Sequence, residues 1–453
     1  MSQEPHSEPW PSADAVAPLF ESYKLAHYRG GKIYRGKLDQ YYRQYRDALQ
    51  RVLKSIAGDH DLEKIDGEMF LTLNAYSKPK RPRYARHLLL FLATLVTTTA
   101  AGAAHHIPGE GFLPFGGVLF VIVQYVNILL STVIDLLGFM FGLGPKGLAD
   151  PISSLRAIAR PLWEVTLFVM SGLPYSLTLM TILIAHEFGH YFAARRRGVR
   201  CSLPYFIPVP FFVGTLGAIA RIRSPFVHRR SLLEVGLAGP LAGFILAVAA
   251  ISYGTLNATV DTTPIDRTRS HIVFNESLTT YVGQKMILDA PDNATIYVDS
   301  IYFAGWLGLL VTMLNLLPLG QLDGGHVLFA FSERLHRKLQ NPLLGLMIVA
   351  GLVGFAMTTA DSLIRSNPKM FLWLNPIASY DAPFWPGWML WAIVIRFVIR
   401  TSHPPLLDSS VSLGAWRTVL AIIGIIILIV TFLPNPISMI PALPDIPPGG
   451  FPV

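Results

Sequence analysis

Seven apolar runs, at about 87–104, 174–194, 236–254, 301–318, 343–360, 386–400 and 416–434, constrain this chain more than any other feature. The hydrocarbon core of a bilayer is crossed by about 20 apolar residues in a helix, and backbone polar groups inside it must be satisfied internally. Runs of this kind fold as spanning helices whose ends are soft by a few residues. With 52% hydrophobic and 15% charged residues, the 453-residue chain lies outside the composition of soluble domains. The expected fold is therefore a multi-pass α-helical membrane protein embedded in a lipid bilayer. A net charge of +8 does not point to nucleic acid here, because the basic residues sit beside apolar runs, as Arg195, Arg196 and Arg197 do. Placing the N-terminus in the cytoplasm puts most of the 37 Lys and Arg residues on the inner side. The single cysteine, Cys201, excludes a disulfide framework and a cysteine-rich zinc site. The polar first twenty residues, with Glu4, Glu8 and Asp14, resemble neither a secretory signal nor an acid-poor transit peptide, and a bacterial inner membrane is expected.

The rest of the chain divides around those runs. Residues 1–28 read as a flexible polar lead and 29–86 as a small cytoplasmic α+β unit. Within that unit, strands are expected at 32–38 and 69–76 and a basic amphipathic helix at 39–57. Residues 87–171 hold the first span and an awkward apolar piece, 116–143, which carries Gln124, Asn127 and Asp135. If it crossed, another crossing would be needed before residue 186, and the one segment on offer, 161–172, is too short. A hairpin or an interfacial helix is therefore expected. Residues 172–330 form the catalytic core, interrupted by an extracytoplasmic loop at 255–300, and 331–434 carry the C-terminal spans. The proline-rich tail, 435–453, cannot be helical over any length.

One run contains His186-Glu187-Phe188-Gly189-His190. Histidines four apart on a helix project from one face, the spacing at which two imidazoles hold one metal ion with a carboxylate beside them. Such a cluster is costly inside a membrane and marks function by default. The bland alternative is a pair of histidines hydrogen-bonded within the bundle. A catalytic zinc takes three protein ligands and keeps a position open, so a third is needed from another span. Asp323, in Asn315-Leu-Leu-Pro-Leu-Gly-Gln-Leu-Asp323-Gly324-Gly325-His326, lies at the same cytoplasmic depth as His190. Pro318, Gly320 and the Gly324-Gly325 pair break the helix there, and unwound backbone at membrane depth is tolerated where it lines a cavity. With zinc on His186, His190 and Asp323, Glu187 is the candidate general base.

A peptide substrate arriving as a membrane helix must be pulled into an extended form before a carbonyl can reach the metal. Asn315 offers an amide for the freed backbone. The segment 203–224 alternates like a strand in its later half, so that an edge including Gly214, Thr215 and Gly217 is a candidate substrate-binding surface. His326 reads as an accessory group or a residue of the turn. Gly239-Pro-Leu-Ala-Gly243 reads as close helix packing that lets its span approach the histidine helix. His87, His228, His271 and His336 lack partners at ligand spacing and read as surface or interface residues.

The His-Glu-x-x-His together with Asn315…Pro318…Asp323-Gly324 resembles the site-2 protease family of intramembrane zinc metalloproteases. Ser202-Leu-Pro-Tyr-Phe-Ile-Pro208, Gly214-Thr-Leu-Gly-Ala218 and Gly239-Pro-Leu-Ala-Gly243 are similar to the branch that includes chloroplast membrane proteases and their bacterial relatives. The resemblance implies a core of three spans flanked by added ones, and one zinc ion per chain on His186, His190 and Asp323. It implies Glu187 as base and Asn315 as a substrate or oxyanion contact. Its implied substrate is a membrane-anchored protein, often trimmed first by another protease. Many members insert a PDZ domain, for which the loop at 255–300 is too short. A metal-ion transporter is the alternative class, although ligands on both sides of the midplane and a His-rich loop are missing. A haem carrier is a poorer fit, because residues one turn apart on one helix cannot face each other across a haem.

Overall fold

The computed structural model describes residues 16, 19–28, 31–55, 60–65, 68–73, 84–104, 117–140, 151–211, 213–222, 226, 228–263, 271–288, 291, 294–379, 381–399, 401, 406 and 411–440. The first of these form an antiparallel sheet of β1 (Phe20–Tyr28), β2 (Gly31–Leu38), β3 (His60–Ile65) and β4 (Glu68–Leu73), in the order β1-β2-β4-β3. Helices α1 (Gln40–Gln44) and α2 (Arg46–Ser55) join β2 to β3. The helix expected over 39–57 is therefore broken at Tyr45. Strand β1 corrects the expected flexible lead over residues 20–28, while most of residues 1–19 lie outside the described residues. Leu19 and Phe20 are buried with Tyr34 and Leu71, and the strand's backbone groups pair with β2 over its whole length. Charged neighbours hide this short apolar content in the sequence.

The membrane part consists of α3 (Tyr84–Ala104), α4 (Gly117–Met140), α5 (Pro151–Met170), α6 (Leu173–Arg196) and α7 (Arg229–Leu256). After the short α8 (Leu278–Leu288) come α9 (Ser300–Leu316), α10 (Asp323–Phe331), α11 (Glu333–Ser366), α12 (Gly387–Val394, ending in a π-helical turn to Ile399) and α13 (Ala415–Thr431). Each of the seven apolar runs lies on one of these helices. Among the described residues α3, the Val121–Gly138 part of α4, α7 and α11 are long and apolar enough to cross a bilayer. The Ala159–Met170 part of α5 passes the same test together with α6, the two meeting at a 41° bend, whereas α9, α12 with its π-helical end, and α13 are apolar but shorter. The chain is a largely helical, multi-span membrane protein with a β-rich N-terminal segment.

Two expectations change. Of the two forms expected for 116–143, the hairpin gives way to a continuous helix over the described residues: α4 is one helix of 24 residues that exposes most of its described apolar side chains. It packs against α3 and α5, and α5 reaches back to Pro151 and is far longer than the piece expected at 161–172. Pro161 sits inside α5, and Arg160 pairs with Glu164 one turn on at 2.8 Å. The proline-rich tail also contributes an element, because a strand at Ile437–Ile440 pairs with one at His271–Phe274 from the loop at 255–300.

The core is the mutual packing of α6, α7 and α9, with α10 and α13 laid against α7 and α9. Helices α6 and α7 meet backbone to backbone: a Cβ placed on Gly189 would lie 2.5 Å from the Ala238 carbonyl oxygen. Small residues permit that approach in a membrane, where packing rather than water expulsion drives association. Helix α9 is capped by Asp299, whose carboxylate accepts from the Tyr302 N–H at 2.7 Å. It ends where Pro318 forces the preceding Leu317 into an extended conformation (φ −54°, ψ 132°). The chain then unwinds over 317–322 before α10 begins at Asp323.

Candidate metal centre

The three ligands expected from the sequence come together. His186 and His190 project from one face of α6 toward Asp323 at the first turn of α10. The two Nε2 atoms are 3.2 Å apart, and each lies 3.3 Å from Oδ2 of Asp323. Zinc bonded tetrahedrally to nitrogen and oxygen at about 2.0–2.1 Å has ligands about 3.3 Å from one another. The observed triangle has the edges of such a tetrahedron, so these residues fit one zinc ion and leave a fourth vertex open. Among the described residues this is the one group of three or more His, Cys, Asp or Glu able to hold a metal.

The surroundings prepare the histidines for that role. His190 places Nδ1 2.7 Å from the Val235 carbonyl oxygen on α7. A carbonyl only accepts, so Nδ1 carries the hydrogen and a neutral ring keeps its Nε2 lone pair for a metal. Gly239, one turn further along α7, lies against the same ring: a Cβ there would be 2.1 Å from Nε2 of His190. Gly243 approaches the other ring, with a Cβ position 3.3 Å from Nδ1 of His186. The Gly239–Gly243 stretch is closely packed, and the rings it presses on are those of the candidate ligands His190 and His186. Glu187 is buried beside the triangle, with the Ala220 backbone N–H, just past β6, close to its carboxylate.

The candidate substrate-binding residues fall on a hairpin of β5 (Tyr205–Pro208) and β6 (Thr215–Ile219), with Phe206 opposite Ala218. Gly214, at φ +84°, is pressed against α3, and the Thr97 hydroxyl donates to its carbonyl at 2.6 Å. Thr215 is buried, with its hydroxyl donating to the Ile207 carbonyl at 3.0 Å and accepting from the Gly217 N–H at 3.0 Å. Both residues hold the hairpin together. Gly217, at φ +89°, has open space where a side chain would be, and its neighbours Leu216 and Ile219 are exposed. Asn315 lies on the last turn of α9 and is partly exposed. His326 stands on α10 with its Cβ against Gly236 of α7.

Sequence reasoning missed three contributors. The Val235 carbonyl and the Ala220 N–H are backbone groups with no sequence signal. His336 was expected at a surface or interface but is 1% exposed, its Nε2 3.1 Å from the Gly320 carbonyl oxygen. Its place four residues before Gln340 on the polar start of α11 was the available clue.

Comparison with known proteins covers this same segment. The sequence model of peptidase family M50 matches residues 174–358. The chain is 30% identical over 270 residues to the probable zinc metalloprotease EGY1, chloroplastic, of Oryza sativa subsp. japonica, covering 59% of this chain and 41% of the rice protein. It is 30% identical over 271 residues to the Arabidopsis thaliana protein of the same name, covering 59% and 44%. It is 34% identical over 165 residues to the Arabidopsis probable zinc metalloprotease EGY2, chloroplastic, covering 36% and 29%. The chain thus spans less than half the length of these relatives. No solved structure matches it significantly. The ligand triangle lies inside residues 174–358, the segment of the chain that matches peptidase family M50.

Proposed function

We propose that the protein is a zinc-dependent intramembrane endopeptidase, which hydrolyses a peptide bond in or near the transmembrane segment of a membrane-anchored protein. The observation that carries this reading is the triangle of two imidazole nitrogens and one carboxylate oxygen, with edges of 3.2, 3.3 and 3.3 Å and a buried glutamate beside it. His186, His190 and Asp323 would hold the metal, one ion per chain. Zinc at that position supplies Lewis acidity toward a carbonyl and makes water acidic enough to react near neutral pH.

The chain's own residues do the rest. Glu187 takes a proton from the attacking water and returns it to the amine as the C–N bond breaks. The Ala220 N–H, at the end of β6, faces the Glu187 carboxylate. A substrate drawn out of its helix loses its internal hydrogen bonds, and the hairpin offers replacements by strand addition. Gly217, with open space around it, and the exposed Leu216 and Ile219 suit that role better than Gly214 and Thr215, which support the hairpin from within. Asn315 contacts the substrate carbonyl, with His326 as an accessory group further along α10. The excess of Lys and Arg on one side supports a cytoplasmic N-terminal unit in a bacterial inner membrane, and a substrate trimmed beforehand by another protease fits the family pattern.

The test is cleavage of a membrane-anchored reporter by purified, reconstituted protein. Glu187→Gln should retain zinc and abolish turnover. Undiminished cleavage by that variant would remove Glu187 from the mechanism.

A further inference from the structure

The metal centre depends on a stretch of unwound chain. Between Leu316 and Asp323 the backbone leaves the helix at membrane depth, where an unsatisfied N–H or C=O costs several kcal/mol. Two bonds are internal, from the Leu319 N–H to the Leu317 carbonyl and from the Leu322 N–H to the Leu319 carbonyl. Gly320, in the left-handed region at φ +55°, is satisfied from another span altogether. Its N–H donates to Oε1 of Gln340 at 2.6 Å, and its carbonyl accepts from Nε2 of His336 at 3.1 Å. The Gln340 amide also donates to the His336 carbonyl at 3.1 Å and reaches toward the Pro318 carbonyl at 3.4 Å. His336 and Gln340 are both buried, one turn apart on α11.

Gly320 lies directly beneath the start of α10. A Cβ on Gly325 would be 2.4 Å from the Gly320 carbonyl oxygen, and one on Gly324 would be 1.9 Å from that of Leu316. The first turn of α10, which begins with Asp323, therefore rests on the backbone that His336 and Gln340 grip. No slack separates the two: moving Gly320 moves the ligand.

We propose that His336 and Gln340 are positioning residues, which set the reach of Asp323 to the metal by clamping both backbone polar groups of Gly320. The proposal rests on the metal-site reading above and deepens it. The clamp makes the long α11, outside the three-helix core, part of the metal centre.

The experiment measures zinc affinity, by competition with a chelator, and melting temperature without metal, both on the full-length chain in detergent. His336→Phe keeps an aromatic ring against Phe329 but donates nothing, and Gln340→Leu keeps bulk without either bond. Gln284→Leu serves as control, because Gln284 is buried at a distance from the site and bonds Tyr302. Both clamp variants should weaken zinc binding about 10–100-fold, the usual consequence of losing a group that orients a ligand. Their metal-free melting temperatures should fall no further than that of the control. His336→Gln, which can still donate to Gly320, should recover most of the affinity. Affinity within threefold of the unaltered chain in both clamp variants overturns the proposal, as does an equal loss in Gln284→Leu. If Gln340→Leu does not fold, the comparison of His336→Phe with His336→Gln decides. Should Asp323→Asn also leave zinc affinity unchanged, the metal-site reading itself fails. A loss in Asp323→Asn with none in the clamp variants overturns only the clamp.

Discussion

Gly239→Ala adds a single methyl group at the most crowded point of the metal centre. The new Cβ would lie 2.1 Å from His190 Nε2, whereas ordinary contact begins near 3.4 Å. The imidazole or α7 must therefore give by about 1.3 Å, and metal–ligand bonds tolerate only about 0.2 Å. Rotation of the ring also breaks the Val235 bond that leaves Nε2 free. Losing the ligand outright should exceed the roughly 10–100-fold penalty of losing a group that merely orients one. We expect zinc affinity to fall at least about 100-fold, and cleavage with it. Alanine is a better helix former than glycine by about 0.8–1.0 kcal/mol, so α7 itself is not weakened. Gly243→Ala is the matched comparison, one turn further along the same face. Its Cβ would be 3.3 Å from His186 Nδ1, which a shift of a few tenths of an ångström relieves, so affinity should stay within about threefold. Chelator competition and reporter cleavage on the two purified variants give the answer. Equal affinities for Gly239→Ala and Gly243→Ala would refute the claim that α7 packing sets the His190 ligand.

Other outcomes follow from the same geometry. Asp323→Asn removes the anionic ligand and should lower zinc bound per chain, measured by metal analysis after dialysis, while the helical content stays unchanged. Gly324→Ala forces a methyl to within 1.9 Å of the Leu316 carbonyl, so it should cost more than the roughly 1–3 kcal/mol of ordinary overpacking and show as a lowered melting temperature. Glu234, next to Val235, is held by Arg197 and by Arg417 of α13 at 2.7 Å, and Arg417→Leu should lower stability by about 1–3 kcal/mol by thermal melting. A strong chelator should abolish cleavage by the unaltered protein, and added zinc should restore it.

The sequence exposed those parts of the site that follow from one helix's own period. His186, Glu187 and His190 are placed by 3.6 residues per turn, and Asp323 by the depth at which its span ends. The Asn315–Asp323 stretch announced its broken helix through Pro318 and Gly320. What stayed hidden depends on how separate spans lie against each other. Nothing at Val235 shows that its carbonyl faces His190, and Gly239 reads as packing until the ring beneath it is seen. His336 was misread for the same reason, since its partner Gly320 is one helix break and one short helix away. The full length of α5 was obscured by Pro161, and β1 by charged residues among few apolar ones. Both elements are stabilised by neighbours that one-dimensional patterning does not reveal.

The hairpin at the substrate side is fastened from outside the segment that carries the family match. Thr97 bonds the Gly214 carbonyl at 2.6 Å, His87 contacts the Pro204 carbonyl at 3.0 Å and its ring lies 4.1 Å from that of Tyr205, while Phe91 packs edge-on to Phe206. All three residues belong to α3, which precedes the matched residues 174–358. Helix α3 is a splint: it holds the hairpin at one place along the bundle, and under the proposed function it would fix the level at which an added strand meets the ligand triangle. A chain trimmed to the matched segment would keep every ligand and lose that calibration. It would still bind zinc yet cut at scattered positions, or hardly at all. The unit on which the proposed activity depends is therefore longer than the stretch that matches the family.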